Sequence, residues 1–208
     1  MSEPVGPPPA TGPPVVNIAN ALTLLRLLLV PVFLAALLVD GGTSVEWRLV
    51  AFGIFALAAL TDRLDGDLAR RRGLVTTFGT VADPIADKAL IGSALVGLSV
   101  LGLVPWWATV VIMTREIGIT VLRFLVLRHG IIPASRGGKA KTFVQTLAIG
   151  LYLLPLPELL GGGAAAVDAV RWAVLLAALL LTVITGVDYV MRAQRLRAAA
   201  STALPESP

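Results

Sequence analysis

Six long apolar stretches alternate with short polar segments rich in glycine, proline or charge. The stretches cover residues 22–39, 48–61 continuing to 69, 84–102, 106–127, 142–156 and 171–191. A helix needs about 20 residues to cross a bilayer, and tilt or buried polar ends blur each boundary. The separators fall at 40–46, 70–73, 102–105, 128–141 and 157–163, where glycine, proline and charged residues mark turns. The pattern predicts an all-α, polytopic membrane protein with six transmembrane helices.

Composition agrees. Hydrophobic residues make up 56% of the chain and mean hydropathy is +0.85, while charged residues make up 14%, against about 25% in a soluble domain. Cysteine is absent, which excludes a disulfide framework, a zinc–thiolate site and a cysteine nucleophile. Residues 1–15 are proline-rich and lack the basic start and apolar core of a signal peptide, so they read as a disordered tail. The membrane domain is expected over 16–194, with a second disordered tail over 195–208.

The distribution of charge says more than its net value of +4. Arg70, Arg71, Arg72, Arg128, Arg136, Lys139, Lys141, Arg192, Arg195 and Arg197 flank the second and fourth stretches and the C-terminus. The other side holds Asp40, Glu46, Glu158 and Asp168, with Arg48 and Arg171 as its cations. The positive-inside rule places both termini in the cytoplasm, as expected for a multi-pass protein of the plasma membrane, and no nucleic-acid partner is expected. Arg26, Asp62, Asp65, Asp83, Asp87, Lys88, Arg115, Arg123, Lys139, Lys141 and Asp188 then fall in the cytoplasmic half. This predicts one polar cavity open to the cytoplasm. A channel needs polar residues at several depths.

Four aspartates beside apolar spans demand compensation. Asp62, Asp65, Gly66, Ala69 and Arg70 share one helical face, and Asp83 and Asp87 lie one turn apart. Paired carboxylates suit Mg²⁺ or Mn²⁺, and two such ions suit phosphoryl-type transfer. The small face of Gly66 and Ala69 admits a ligand, and Arg70 suits a phosphate. The plainer alternatives are that Asp83 caps a helix whose first residue is Pro84, and that Asp62, Asp65 and Asp67 are solvated helix-end residues.

The string Asp62-x2-Asp65-Gly66-x2-Ala69-Arg70-x8-Gly79-x3-Asp83-x3-Asp87 resembles the signature of the CDP-alcohol phosphatidyltransferases. The resemblance implies six transmembrane helices, a homodimer and a cytoplasm-facing site with two Mg²⁺ or Mn²⁺ ions. In that family an alcohol hydroxyl attacks the phosphate beside the lipid of CDP-diacylglycerol, and CMP leaves. It further implies Asp62, Asp65 and Asp83 as metal ligands and Asp87 as metal-linked carboxylate and general base. Gly66, Ala69, Arg70 and Thr76 resemble CDP-binding positions.

The acceptor is indicated by other strings. The opening over 17–26 (N-I-A-N-A-L-T-L-L-R), 114–123 (T-R-E-I-G-I-T-V-L-R) and 138–142 (G-K-A-K-T) look like the bacterial phosphatidylglycerophosphate synthases, with Ala19 where those often carry proline. That resemblance implies glycerol 3-phosphate as acceptor, with Arg115, Arg123, Lys139 and Lys141 available for its phosphate. Glu116 points about 100° from Arg115 on a helix, so an aspartate or the substrate is the expected partner of Arg115. The alternatives are a cardiolipin synthase of the same family, with phosphatidylglycerol as acceptor, and a divalent-cation transporter. His129 reads as a surface residue, Trp106 and Trp107 as an interfacial belt, and Pro31 as a kink. Ser93-x3-Gly97 reads as a helix-packing or dimer motif.

Overall fold

The computed structural model describes residues 18–72, 76–126 and 136–202, of which 19, 63–72, 77–81, 123–126, 136 and 197–202 are described by backbone only. The predicted tail over 1–15 and His129 lie outside the described residues. The helices are α1 (Ile18–Leu38), α2 (Val45–Arg72), α3 (Thr77–Val100), α4 (Trp106–Val126), α5 (Arg136–Leu153), α6 (Leu156–Leu160) and α7 (Ala164–Thr202). A 3₁₀ turn, Val39–Gly42, links α1 to α2. No strand occurs among the described residues.

Each predicted stretch lies on a separate long helix. The finer expectation of six spans is not established. By length and composition two described segments suffice to cross a membrane, Asn20–Gly42 and Ala164–Leu196. The other long helices carry charge at one end, such as Asp62 to Arg72 on α2. Three boundaries also differ. α3 begins at Thr77, so Asp83 and Pro84 lie inside it and the N-cap alternative fails. α7 runs to Thr202, into the predicted C-terminal tail. The short α6 occupies part of the expected turn over 157–163.

α1 packs on α2 and α3, while α4 and α5 pack on α7. Phe33 and Phe55 meet in the core with ring centroids 6.0 Å apart. Ala51, Ala58, Ala94 and Ala108 are all buried, which lets the helix backbones approach closely. At Gly97 a Cβ would stand 2.8 Å from Leu37 Cδ2, so this glycine seats α1 on α3 within the chain. α3 ends in a left-handed Gly102 (φ 71°), with the Leu103 N–H bonding to the Leu98 carbonyl at 2.9 Å. That is the glycine C-cap that closes a helix and frees the chain to turn.

The two ends of the bundle differ. At one, buried Arg48 and Arg171 close the end of α5. Arg48 Nη2 donates to the Tyr152 carbonyl (2.7 Å) and Arg171 Nη2 to the Leu154 carbonyl (2.6 Å). The last carbonyls of a helix lack intrahelical partners and carry partial negative charge, so two guanidiniums answer both needs. Glu158 and Asp168 lie at this same end, beside Arg48 and Arg171, whereas Asp62, Asp83 and Asp87 lie toward the opposite one. Leu24, Leu28 and Val32 on α1, and Leu176, Leu180 and Ile184 on α7, form exposed apolar stripes, as expected of a membrane protein.

Candidate active site

Three buried polar residues of α1, Asn20, Thr23 and Arg26, recur at three-residue spacing. Asn20 Oδ1 accepts from the Thr76 hydroxyl at 3.0 Å. The Thr23 hydroxyl donates to Asp83 Oδ1 at 2.5 Å. Arg26 Nη1 pairs with Asp62 Oδ1 at 2.5 Å. One turn of α1 thus bonds to an aspartate of α3 and to an aspartate of α2. The opening string has a physical reason: its polar residues hold the signature residues in place.

Asp62, Asp87 and Arg26 share the wall of a cavity of about 350 Å³ between α2 and α5. The remaining wall is mostly apolar and includes Phe52, Phe55, Leu90, Leu147 and Leu151. The cavity is therefore charged at one end and lipid-like along its length. Among the described residues no three acidic or histidine side chains form a ready metal cluster. The side chain of Asp65 lies outside the described set, as do those of Gly66, Ala69, Arg70 and Arg123. The candidate ligands are all carboxylates, and two of them, Asp62 and Asp87, face one cavity. That chemistry fits a hard divalent cation.

A second, smaller space adjoins the first. It measures about 10 Å³ and is lined by Asp87, Lys88, Glu116, Lys141, Thr142 and Gln145, among others. Lys141 is buried, and its ammonium pairs with Glu116 Oε1. Arg115 Nη1 reaches the same oxygen at 3.1 Å, and its Nη2 donates to the Thr185 hydroxyl at 3.0 Å. Glu116 is therefore the partner of Arg115, contrary to expectation. Cβ directions diverge along a helix, but these long side chains curl back to meet.

The structure thus brings Asp62 and Asp87 to one cavity, with Lys141 on the far side of Asp87, and ties Asp83 to the same turn of α1 that holds Asp62. It sets the other described candidates apart. Arg115 lines a different cavity, of about 470 Å³, between α4 and α7. Lys139 is exposed and on neither wall beside Asp87. Thr76 turns its hydroxyl to Asn20. Glu116, Gln145, Asn20 and Thr23 were not candidates from sequence. Gln145 carried one signal: it lies four residues after Lys141, on the same face of α5.

The family model of the CDP-alcohol phosphatidyltransferases matches residues 16–184. A probable phosphatidylglycerophosphate synthase of Mycobacterium tuberculosis is 61% identical over 181 residues, 87% of this chain and 83% of that protein. A CDP-diacylglycerol–glycerol-3-phosphate 3-phosphatidyltransferase of Rickettsia felis is 37% identical over 174 residues, covering 83% and 93%. A CMP-forming cardiolipin synthase of Streptomyces coelicolor is 39% identical over 145 residues, covering 67% and 66%. The family match spans all four aspartates and the α1 residues that hold two of them, and the chain belongs to the CDP-alcohol phosphatidyltransferase family.

Proposed function

We propose that this protein transfers the phosphatidyl group of CDP-diacylglycerol to glycerol 3-phosphate, giving phosphatidylglycerophosphate and CMP. One observation carries the reading: Asp62 and Asp87 stand at the charged end of a cavity whose other walls are apolar. A donor with a nucleotide at one end and two acyl chains at the other has that polarity.

Asp87 accepts the proton of the primary hydroxyl of glycerol 3-phosphate. The hydroxyl oxygen bonds to the phosphorus beside the diacylglycerol, the bond to CMP breaks, and CMP leaves with the electron pair. Arg70, with the small face of Gly66 and Ala69, seats the CDP. Of Arg115, Arg123, Lys139 and Lys141, the cations that the sequence offers for the acceptor phosphate, Lys141 stands nearest Asp87, while Arg115 lines a separate cavity. Divalent metal, two Mg²⁺ or Mn²⁺ ions held by Asp62, Asp65, Asp83 and Asp87, neutralises charge on the attacked phosphate when bound. The six long helices cross the plasma membrane with the end that carries Asp62 and Asp87, and both termini, in the cytoplasm, and the enzyme is a homodimer.

An acceptor panel with CDP-diacylglycerol in detergent tests this. CMP release is expected with glycerol 3-phosphate and not with serine or inositol phosphate. The Streptomyces relative makes phosphatidylglycerol the informative competitor, and CMP release with it alone replaces the reading by cardiolipin synthesis.

A further inference from the structure

The small space beside Asp87 has chemistry of its own. Gln145 is 3% exposed, and its Oε1 has no hydrogen-bond partner. A buried amide oxygen without a partner is costly, so the position calls for a visiting donor. The volume of about 10 Å³ is that of one water-sized group, and a phosphate does not fit it. The wall offers acceptors at Gln145, Glu116 and Asp87 and donors at Lys141 and Lys88. A hydroxyl both donates and accepts, and it suits either orientation of the amide.

Asp87, Ile91 and Thr142 line this niche and the large cavity alike. A molecule reacting at Asp87 from the cavity side can therefore extend a neighbouring group into the niche. Glycerol 3-phosphate carries its secondary hydroxyl on the carbon next to the reacting one. We infer that Gln145 receives that secondary hydroxyl and makes the site selective for a vicinal diol phosphate. This rests on the acceptor proposed above.

The test compares kcat/KM for glycerol 3-phosphate and for 3-hydroxypropyl phosphate, which lacks the secondary hydroxyl, in the wild type and in Gln145→Met. The wild type is expected to favour glycerol 3-phosphate by at least about 10-fold, since a site built for a hydroxyl rejects the analogue without it. Gln145→Met is expected to lose activity on glycerol 3-phosphate alone, leaving the two acceptors nearly equal. The ratio within one preparation is insensitive to partial misfolding. Equal use of both acceptors by the wild type overturns the inference, and so does a variant that keeps the wild-type ratio, which would leave the niche to a structural water. Wild-type turnover with phosphatidylglycerol and not glycerol 3-phosphate overturns the acceptor assignment as well, so the two failures are distinguishable.

Discussion

Replacing Glu116 by glutamine removes the carboxylate that two cations share. The side chains of Lys141, Glu116 and Arg115 are 5%, 14% and 17% exposed. Removing one partner of a buried ion pair costs about 3–5 kcal/mol. Two features pull Glu116→Gln toward the lower end: Asp87 remains in the same niche as Lys141, and Arg115 keeps its bond to Thr185. The expected loss is about 3 kcal/mol, or about 6–12 °C in Tm for a chain of this length. Lys141→Met is milder, at about 1–2 kcal/mol, because Glu116 keeps Arg115. The double variant should lose less than the sum of the two, by at least about 1 kcal/mol, since no lysine charge is then stranded. Tryptophan fluorescence during thermal unfolding in detergent reads all three. A Glu116→Gln protein melting within about 2 °C of wild type, or strictly additive losses, would refute the shared-carboxylate account.

Thr23→Val keeps side-chain shape but removes the bond that orients Asp83; the apparent Mg²⁺ requirement should rise about 10-fold in a metal titration, with little change in Tm. Gly97→Ala sets a methyl 2.8 Å from Leu37 Cδ2 and should destabilise by about 1–3 kcal/mol, read by Tm. Ala59→Trp fills the apolar part of the cavity, so KM for CDP-diacylglycerol should rise while KM for glycerol 3-phosphate stays constant. Chelation by EDTA should abolish CMP release, and Mg²⁺ or Mn²⁺ should restore it.

The long helices were legible because apolar runs and glycine or proline breaks are local signals. Asp62 and Asp87 were legible as partners because carboxylates beside apolar spans are costly enough to need a shared purpose. The start of α3 was misread because proline suggests a first turn, yet Pro84 sits well inside the helix at the expense of one backbone bond. Glu116 was misread because Cβ direction does not limit where a four-atom carboxylate arm and a guanidinium meet. Gln145 offered only its spacing of four residues from Lys141, because an uncharged residue in an apolar run says little until its burial and unpartnered oxygen are seen. The α1 ladder of Asn20, Thr23 and Arg26 was visible as a string, but its three partners lie at least 36 residues away and needed the fold.

The most direct measurement is transfer of labelled glycerol 3-phosphate into lipid, with CDP-diacylglycerol as donor, by the wild type and by Asp87→Asn. The expected result is one CMP per labelled lipid in the wild type and at least about 100-fold slower transfer in an equally stable Asp87→Asn protein. Wild-type rates in Asp87→Asn, or CMP released while the label stays in the water phase, would contradict the assignment of this cavity as the site of transfer.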